Sequence, residues 1–348
     1  MLPDFGPRPG RDTLLSLEKV NKINPSILLH ILAPLVLLGY HPASLKSSNG
    51  VVLDKPGKPS YESPASFRII VLIRTISKIL ERIIAARILV AARLRGLLHP
   101  NQCGSLPGLS TYDACLTLTN DVTTLQRPRL NVSCLFLDIK AGFDNVDNNT
   151  LARILREGGI PPYLVSWVSS FLSERSCTLV FQGAPGTQAP INVGAPQGSP
   201  ISPLLFLLYV APLHFAIPQG LMISYVDDFA LTVASLSYRG NIRRLQVLFD
   251  KLEGKASRLG VSFSVAKTEL IHWRTPSQRH CPKCVSPIHI KGDLFYPGNS
   301  VRWLGYWFTP ALDPAAHFSH RLTLAQGAFA LIQRLSRPGA GLPPYLCH

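Results

Sequence analysis

Residues 224–231, SYVDDFAL, set two adjacent carboxylates between apolar runs. Neighbouring like charges in a half-buried strand repel one another and lose hydration. Asp227 and Asp228 therefore need water, a turn position or a cation, and the fold has to supply it. A second feature bears on the choice. NVSCLFLDI (131–139) is a short β-branched and aromatic run that reads as a buried strand, and Asp138 lies near its end. Helical segments separate the two stretches, so their strands can lie side by side and bring three carboxylates to one sheet edge. Two Mg²⁺ ions held in that way clamp the attacking and leaving oxygens of a phosphoryl transfer, and Mg²⁺ favours such hard oxygen donors. Taken alone, Asp138 reads equally as an exposed strand end and the pair as a solvated turn.

Composition narrows the classes. A chain of 348 residues with 46% hydrophobic and 16% charged side chains is neither wholly disordered nor too short for a sizeable core. The apolar stretch ILLHILAPLVLLGY carries a His and a Pro and is short for a membrane span. Nothing at Met1 resembles a secretory leader. Seven scattered cysteines, an odd number, fit a reducing intracellular compartment. The net charge of +15 is unevenly spread: +8 over residues 1–130, −3 over 131–230 and +10 over 231–348. Two basic flanks around an acidic middle suit a polyanion held over a cation-binding centre, although a soluble basic surface gives the same totals.

The periodicity from Ile70 to about Leu98 predicts a long amphipathic helix, and 110–125 a second, N-capped by Ser110 or Thr111. Helices are expected at 148–159, 161–174, 202–217 and 240–259. A hairpin is expected at 177–194, two strands joined at Asp227–Asp228, and strands around a turn in VSFSVAKTELIHW. Gly194 and Gly198 in GAPQGSP allow close backbone approach, and Gln197 offers an amide to a base or sugar. HRLTLAQGAFALIQRLSR predicts one more amphipathic helix near the C-terminus. HCPKC (280–284) supplies two of the four ligands structural zinc needs and reads mainly as a Pro-rich loop.

FLDIKAGFDNV (136–146), GAPQGSPISPLLF (194–206) and YVDD (225–228) together resemble the palm of reverse transcriptases, in order and spacing most like those of LINE-type, non-LTR retrotransposons. LDKPGKPSYESPASFRIIVLIRTISKILERIIAARI and NQCGSLPGLSTYDACLTLTNDV resemble the family's fingers motifs. FSVAKTELIHW and VRWLGYWF resemble the segments that close its palm. The resemblance covers roughly residues 40–310.

It implies an α+β fold: a right-hand polymerase palm, with an antiparallel sheet plus helices, helical fingers and a truncated thumb. The expected segments are an N-terminal helical extension (1–40), fingers (41–130), palm (131–310) and partial thumb (311–348). The implied activity is RNA-directed DNA synthesis on an RNA template and DNA primer from dNTPs, with two Mg²⁺ ions or Mn²⁺ in their place, in the nucleus and without a membrane. By the same resemblance Asp138, Asp227 and Asp228 are the catalytic carboxylates and metal ligands, joined by the Ile139 carbonyl. Lys267 protonates the leaving pyrophosphate. Lys55, Arg68, Phe143, Gln197 and Gly198 bind substrate, with the Phe143 ring excluding a 2′-hydroxyl. Ile69 stands where the family usually has Pro, ASLK (43–46) lacks a common Trp, and the chain stops soon after VRWLGYWF. A fragment or decayed element copy is the expectation from that early stop. A group II intron-type reverse transcriptase, an RNA-templated RNA polymerase and a non-catalytic nucleic-acid-binding relic stay open.

Overall fold

The computed structural model describes residues 26–57, 60–274 and 286–335. Most of the N-terminal extension and the HCPKC stretch lie outside them. In chain order the elements begin with α1 (Ile27–Leu37), β1 (Ser47–Asp54), β2 (Phe67–Leu72), α2 (Thr75–Leu94), β3 (Gln102–Cys103) and α3 (Thr111–Gln126). The middle holds β4 (Asn131–Asp138), α4 (Asn148–Glu157), α5 (Pro162–Leu172), β5 (Arg175–Phe181), β6 (Ala184–Ile191) and α6 (Ser202–Phe215). Then come β7 (Met222–Tyr225), β8 (Asp228–Ser235), α7 (Tyr238–Arg258) and β9 (Glu269–Trp273). Two short hairpins, β10 (Ile288–Ile290) with β11 (Asp293–Phe295) and β12 (Val301–Trp303) with β13 (Tyr306–Phe308), lead to α8 (Pro314–Leu335).

These elements group into two compact units, each discontinuous in sequence. The first comprises residues 1–109, 139–219 and 251–263. It holds a four-stranded sheet in the order β2-β1-β5-β6, with β1 and β5 parallel and the other pairs antiparallel. β6 contains Pro185 and Pro190, which remove ladder donors, and it occupies an edge where that loss is tolerated. Among the helices of this unit, α6 is apolar all round and buried on nearly every side chain, as a helix hydrophobic on every face must be.

Sequence periodicity ran α2 too far upstream. Residues 67–72 form strand β2, and the helix begins at Thr75. The run Ile69-Ile70-Val71 is β-branched, and pairing with β1 from Asn49 to Asp54 decides in favour of strand. β1 itself, SSNGVVLD, left no clear period in the sequence because it alternates small, polar and apolar residues on a half-covered face.

The second unit comprises 110–138, 220–250 and 264–348. Its main strands lie in the order β7-β8-β4-β9, antiparallel throughout. β4 is buried at every residue after Asn131, so both faces of the sheet are covered and its sequence shows no alternation. Helix α3 packs on β4, β7 and β8. It starts with a capping box in which the Ser110 hydroxyl accepts from the Asp113 amide and the Asp113 carboxylate accepts from the Ser110 amide at 2.8 Å. Trp303 and Phe308 pack on Phe136, with ring centroids 5.8 and 6.4 Å apart. The end of the sheet far from Asp138 is closed by hydrogen bonds from the first turns of α7. Asn241 donates to the Asn131 carbonyl at 2.8 Å and the Ser133 hydroxyl at 2.9 Å, and Tyr238 donates to the Trp273 carbonyl at 2.9 Å.

Helix α8 forms as the periodicity predicts and sits on β13, where His317 stacks on Tyr306 and His320 on Trp307. Phe318, Leu324, Phe329 and Leu331 along it are exposed. Among the described residues no helix is long and apolar enough to cross a membrane.

Candidate active site

The register of β4 against β8 sets the geometry. It pairs Asn131 with Ser235 at one end and Asp138 with Asp228 at the other, which places those two Cα atoms about 5 Å apart. β7 turns into β8 through Val226 and Asp227, since Tyr225 pairs directly with Asp228. The two strands are therefore joined at Val226–Asp227, one residue earlier than the sequence suggested. Val226 has φ 58, a left-handed conformation that is strained for a β-branched residue. Asp227 occupies the turn and Asp228 opens the strand. Asp138 and Asp228 thus meet at one end of the sheet in the second unit, with Asp227 in the adjoining turn.

Lys267 returns to the same edge. The Asp138 carbonyl accepts from the Ser264 amide at 2.8 Å, and the single 3₁₀ turn that follows, Val265–Lys267, carries the lysine ammonium to 2.7 Å from Asp138 Oδ1. Asp138 is almost fully buried while most of the Lys267 side chain faces solvent. Burial, then the charges of Asp227 and Asp138, pushes the Asp228 carboxyl up to about 7, and Lys267 opposes the shift. A proton on Asp228, hydrogen-bonded to Asp138, relieves part of the repulsion. The edge thus carries more negative charge than one lysine neutralises.

Among the described residues no three carboxylate, imidazole or thiolate groups form a ready-made metal cage. The donor chemistry still fits Mg²⁺, which takes one or two carboxylates and completes its octahedron with water and substrate phosphate oxygens.

The remaining predicted residues lie in the first unit. Arg68 is exposed in β2, opposite Leu53 of β1. Lys55 follows β1, its amide donating to the Ser66 carbonyl at 2.8 Å. Ile139 is buried and bridges to Phe263. Phe143 is half-buried in the turn after β4 and stacks on Phe206, centroids 4.8 Å apart. Its turn is laced to the GAPQG segment: the Ala195 amide donates to the Phe143 carbonyl at 2.8 Å and Gln197 Nε2 to Asp144 Oδ1 at 3.3 Å. The same segment joins β2 where the Val71 amide donates to the Gln197 carbonyl at 2.7 Å.

The close approach expected at both glycines is present. A Cβ on Gly194 would lie 2.8 Å from the Asp144 carbonyl oxygen, and one on Gly198 would lie 2.5 Å from the Val71 carbonyl oxygen. Gly198 also has φ 116, so any side chain there is strained twice over. Gly198→Ala should destabilise the protein by roughly 1–3 kcal/mol and break the Val71–Gln197 bond. A melting temperature unchanged from the parent would show that β2 yields at no cost.

A family model described as reverse transcriptase (RNA-dependent DNA polymerase) matches residues 53–308, which includes the carboxylate edge, the Phe143 turn and GAPQG. The chain belongs to the reverse transcriptase family. Curated relatives carry names of LINE-type elements. The chain is 28% identical over 83% of its length to the probable RNA-directed DNA polymerase from transposon X-element of Drosophila melanogaster. It is 29% identical over 80% of its length to that from transposon BS, and 27% identical over 84% to the RNA-directed DNA polymerase from mobile element jockey, both of the same species. It spans 31% of each of these relatives.

Among solved structures, apo telomerase from Candida tropicalis matches with a TM-score of 0.53 and 12% identity, over 78% of this chain and 49% of that one. A form of it truncated from the C-terminal domain matches with a TM-score of 0.51 and 13% identity, over 78% of this chain and 55% of that one. This reverse transcriptase chain accordingly has an α+β fold of the right-hand polymerase type.

Two buried ionisable residues of the first unit, Glu81 and Arg175, escaped sequence reasoning. Glu81 lies beside Arg82 in SKILERII, where a charge normally marks the solvated face, and Arg175 opens a hairpin strand. A signal was present for Glu81, which shares a face with Leu80, Ile84 and Ile88.

Proposed function

We propose that this chain catalyses RNA-templated addition of deoxynucleotides to a DNA primer, with Asp138, Asp227 and Asp228 as the catalytic carboxylates. The observation that carries the reading is the pairing of Asp138 with Asp228 across β4 and β8, with Asp227 in the adjoining turn. In the reaction the primer 3′-hydroxyl gives up its proton to water, its oxygen bonds to the α-phosphorus of a dNTP, the bond from that phosphorus to the bridging oxygen breaks, and pyrophosphate leaves. Mg²⁺ held by Asp138, Asp227 and Asp228 supplies, when bound, charge neutralisation on the phosphates and a more acidic 3′-hydroxyl. The carboxylates orient the reacting oxygens, and Lys267, cationic beside Asp138, supplies a proton to the departing pyrophosphate.

Other residues that the resemblance singles out would select the substrate. Arg68 offers a guanidinium to triphosphate oxygens, Lys55 adds a second cation, and the Gln197–Gly198 peptide and the Phe143 ring read base and sugar. The basic composition of residues 231–348 supplies sequence-independent attraction to the template–primer backbone. By the same reading residues 41–130 act as fingers, 131–310 as palm and 311–348 as thumb, and an element that copies itself into a genome would act in the nucleus.

Purified protein given an RNA template, a DNA primer, dNTPs and Mg²⁺ should lengthen the primer, with Mn²⁺ substituting. No extension, with template–primer still bound, would instead identify a nucleic-acid-binding relic.

A further inference from the structure

Glu81 and Arg175 end on one loop. Glu81, with 0% of its surface exposed, accepts a hydrogen bond from the Ser77 hydroxyl one turn earlier in α2, at 2.7 Å, and another from the Ser199 hydroxyl. Burial raises its pKa, and the two hydroxyls oppose the shift. Ser199 Oγ in turn accepts from the Ile201 amide at 3.3 Å, just ahead of α6. Arg175, 7% exposed, donates to the Val193 carbonyl at 3.4 Å and to the Gly194 carbonyl. Both ends of segment 194–199 are therefore tied to a buried ionisable side chain. An apolar residue of Glu81's size would fill the same space without the desolvation that burying a carboxylate demands. What the carboxylate supplies that an apolar residue cannot is an acceptor for the Ser199 hydroxyl.

What the loop carries gives that bond its purpose. Between the two anchors lie Gln197, whose carbonyl accepts from Val71 of β2 and whose amide meets Asp144, and Ala195, whose amide meets the Phe143 carbonyl. Release of Ser199 would loosen the β2 attachment and, through Asp144, the Phe143 turn.

We infer that Glu81 is a positioning residue for nucleotide selection, holding Ser199 so that Gln197, Gly198 and the Phe143 turn keep a fixed arrangement. The inference rests on the polymerase reading for its consequence, but its structural half is measurable without activity. Amide hydrogen exchange should quicken at Val71, Ala195 and Ser199 in Glu81→Met and in Ser199→Ala, with the amides of α2 unchanged. Glu81→Gln, which can still accept from one hydroxyl and donate to the other, should keep the parent's protection.

In single-nucleotide extension both disruptive variants should raise KM for the dNTP about tenfold, the effect of one lost hydrogen bond to a charged group. Their kcat should stay within about threefold of the parent. The double variant should be no worse than either single one, since both cut the same link. If Glu81→Met does not fold, Ser199→Ala alone decides. Unchanged exchange at the three amides, additive losses in the double variant, or a Glu81→Gln protein as impaired as Glu81→Met would overturn the inference. A parent chain that extends no primer would defeat the polymerase reading, while the exchange data would still decide whether Glu81 holds the loop.

Discussion

Asp227→Asn should lower primer extension by about 10²- to 10³-fold, the scale set by removing one preorganised electrostatic group from a reacting centre, and leave template–primer affinity within about threefold. Asn is close in size to Asp and is comfortable in turns. Asp227 lies in the Val226–Asp227 turn, outside the ladder between β7 and β8, so the hairpin keeps its register. What disappears is a negative charge at an edge where Asp138 and Asp228 already meet. Nucleic-acid affinity comes chiefly from counterion release by basic side chains, and removing one carboxylate leaves these untouched. Extension rates and anisotropy titrations on the same preparations separate the two effects. Affinity lost together with activity would assign Asp227 a structural role, and near-parental extension would remove it from the chemistry.

Phe143→Val should relax discrimination between ribo- and deoxynucleotides by roughly 10²-fold, the selectivity a pocket typically gains by excluding a small group. Phe143 is half-buried, with Phe206 stacked against it at 4.8 Å. Phe206 is fully buried in α6 and fixes the ring from behind. Valine is shorter, so a 2′-hydroxyl gains room, and the lost stack should cost stability by about 0.5–1.5 kcal/mol beyond the buried area. Incorporation of matched ribo- and deoxynucleoside triphosphates at one template position, measured beside the melting temperature, reads both. A drop in melting temperature with unchanged sugar selectivity would return Phe143 to the core.

Single side chains in the sequence announced much of this. The run 131–139 read as a buried strand, and the Asp pair between apolar runs as a junction of two strands in need of water, a turn or a cation, because adjacent charges are costly inside a strand. Gly194 and Gly198 announced backbone crowding that the structure contains. Other features were illegible. β1 and β2 gave weak or misleading periods, since a short half-covered strand and the first turn of a helix share the same few apolar residues. Glu81 shares a helix face with apolar residues, but its partner Ser199 lies more than a hundred residues away and no local pattern points to it.

Local composition determined most of the helices and the strand at β4, and placed two carboxylates where a chain tolerates them only for a reason. Tertiary structure decided the register of β4 on β8, and so the meeting of Asp138 with Asp228 and the approach of Lys267 to Asp138. Propensity and periodicity act over a turn or a strand length. The register joins segments about 90 residues apart and is set by which side chains fill the sheet's two covered faces.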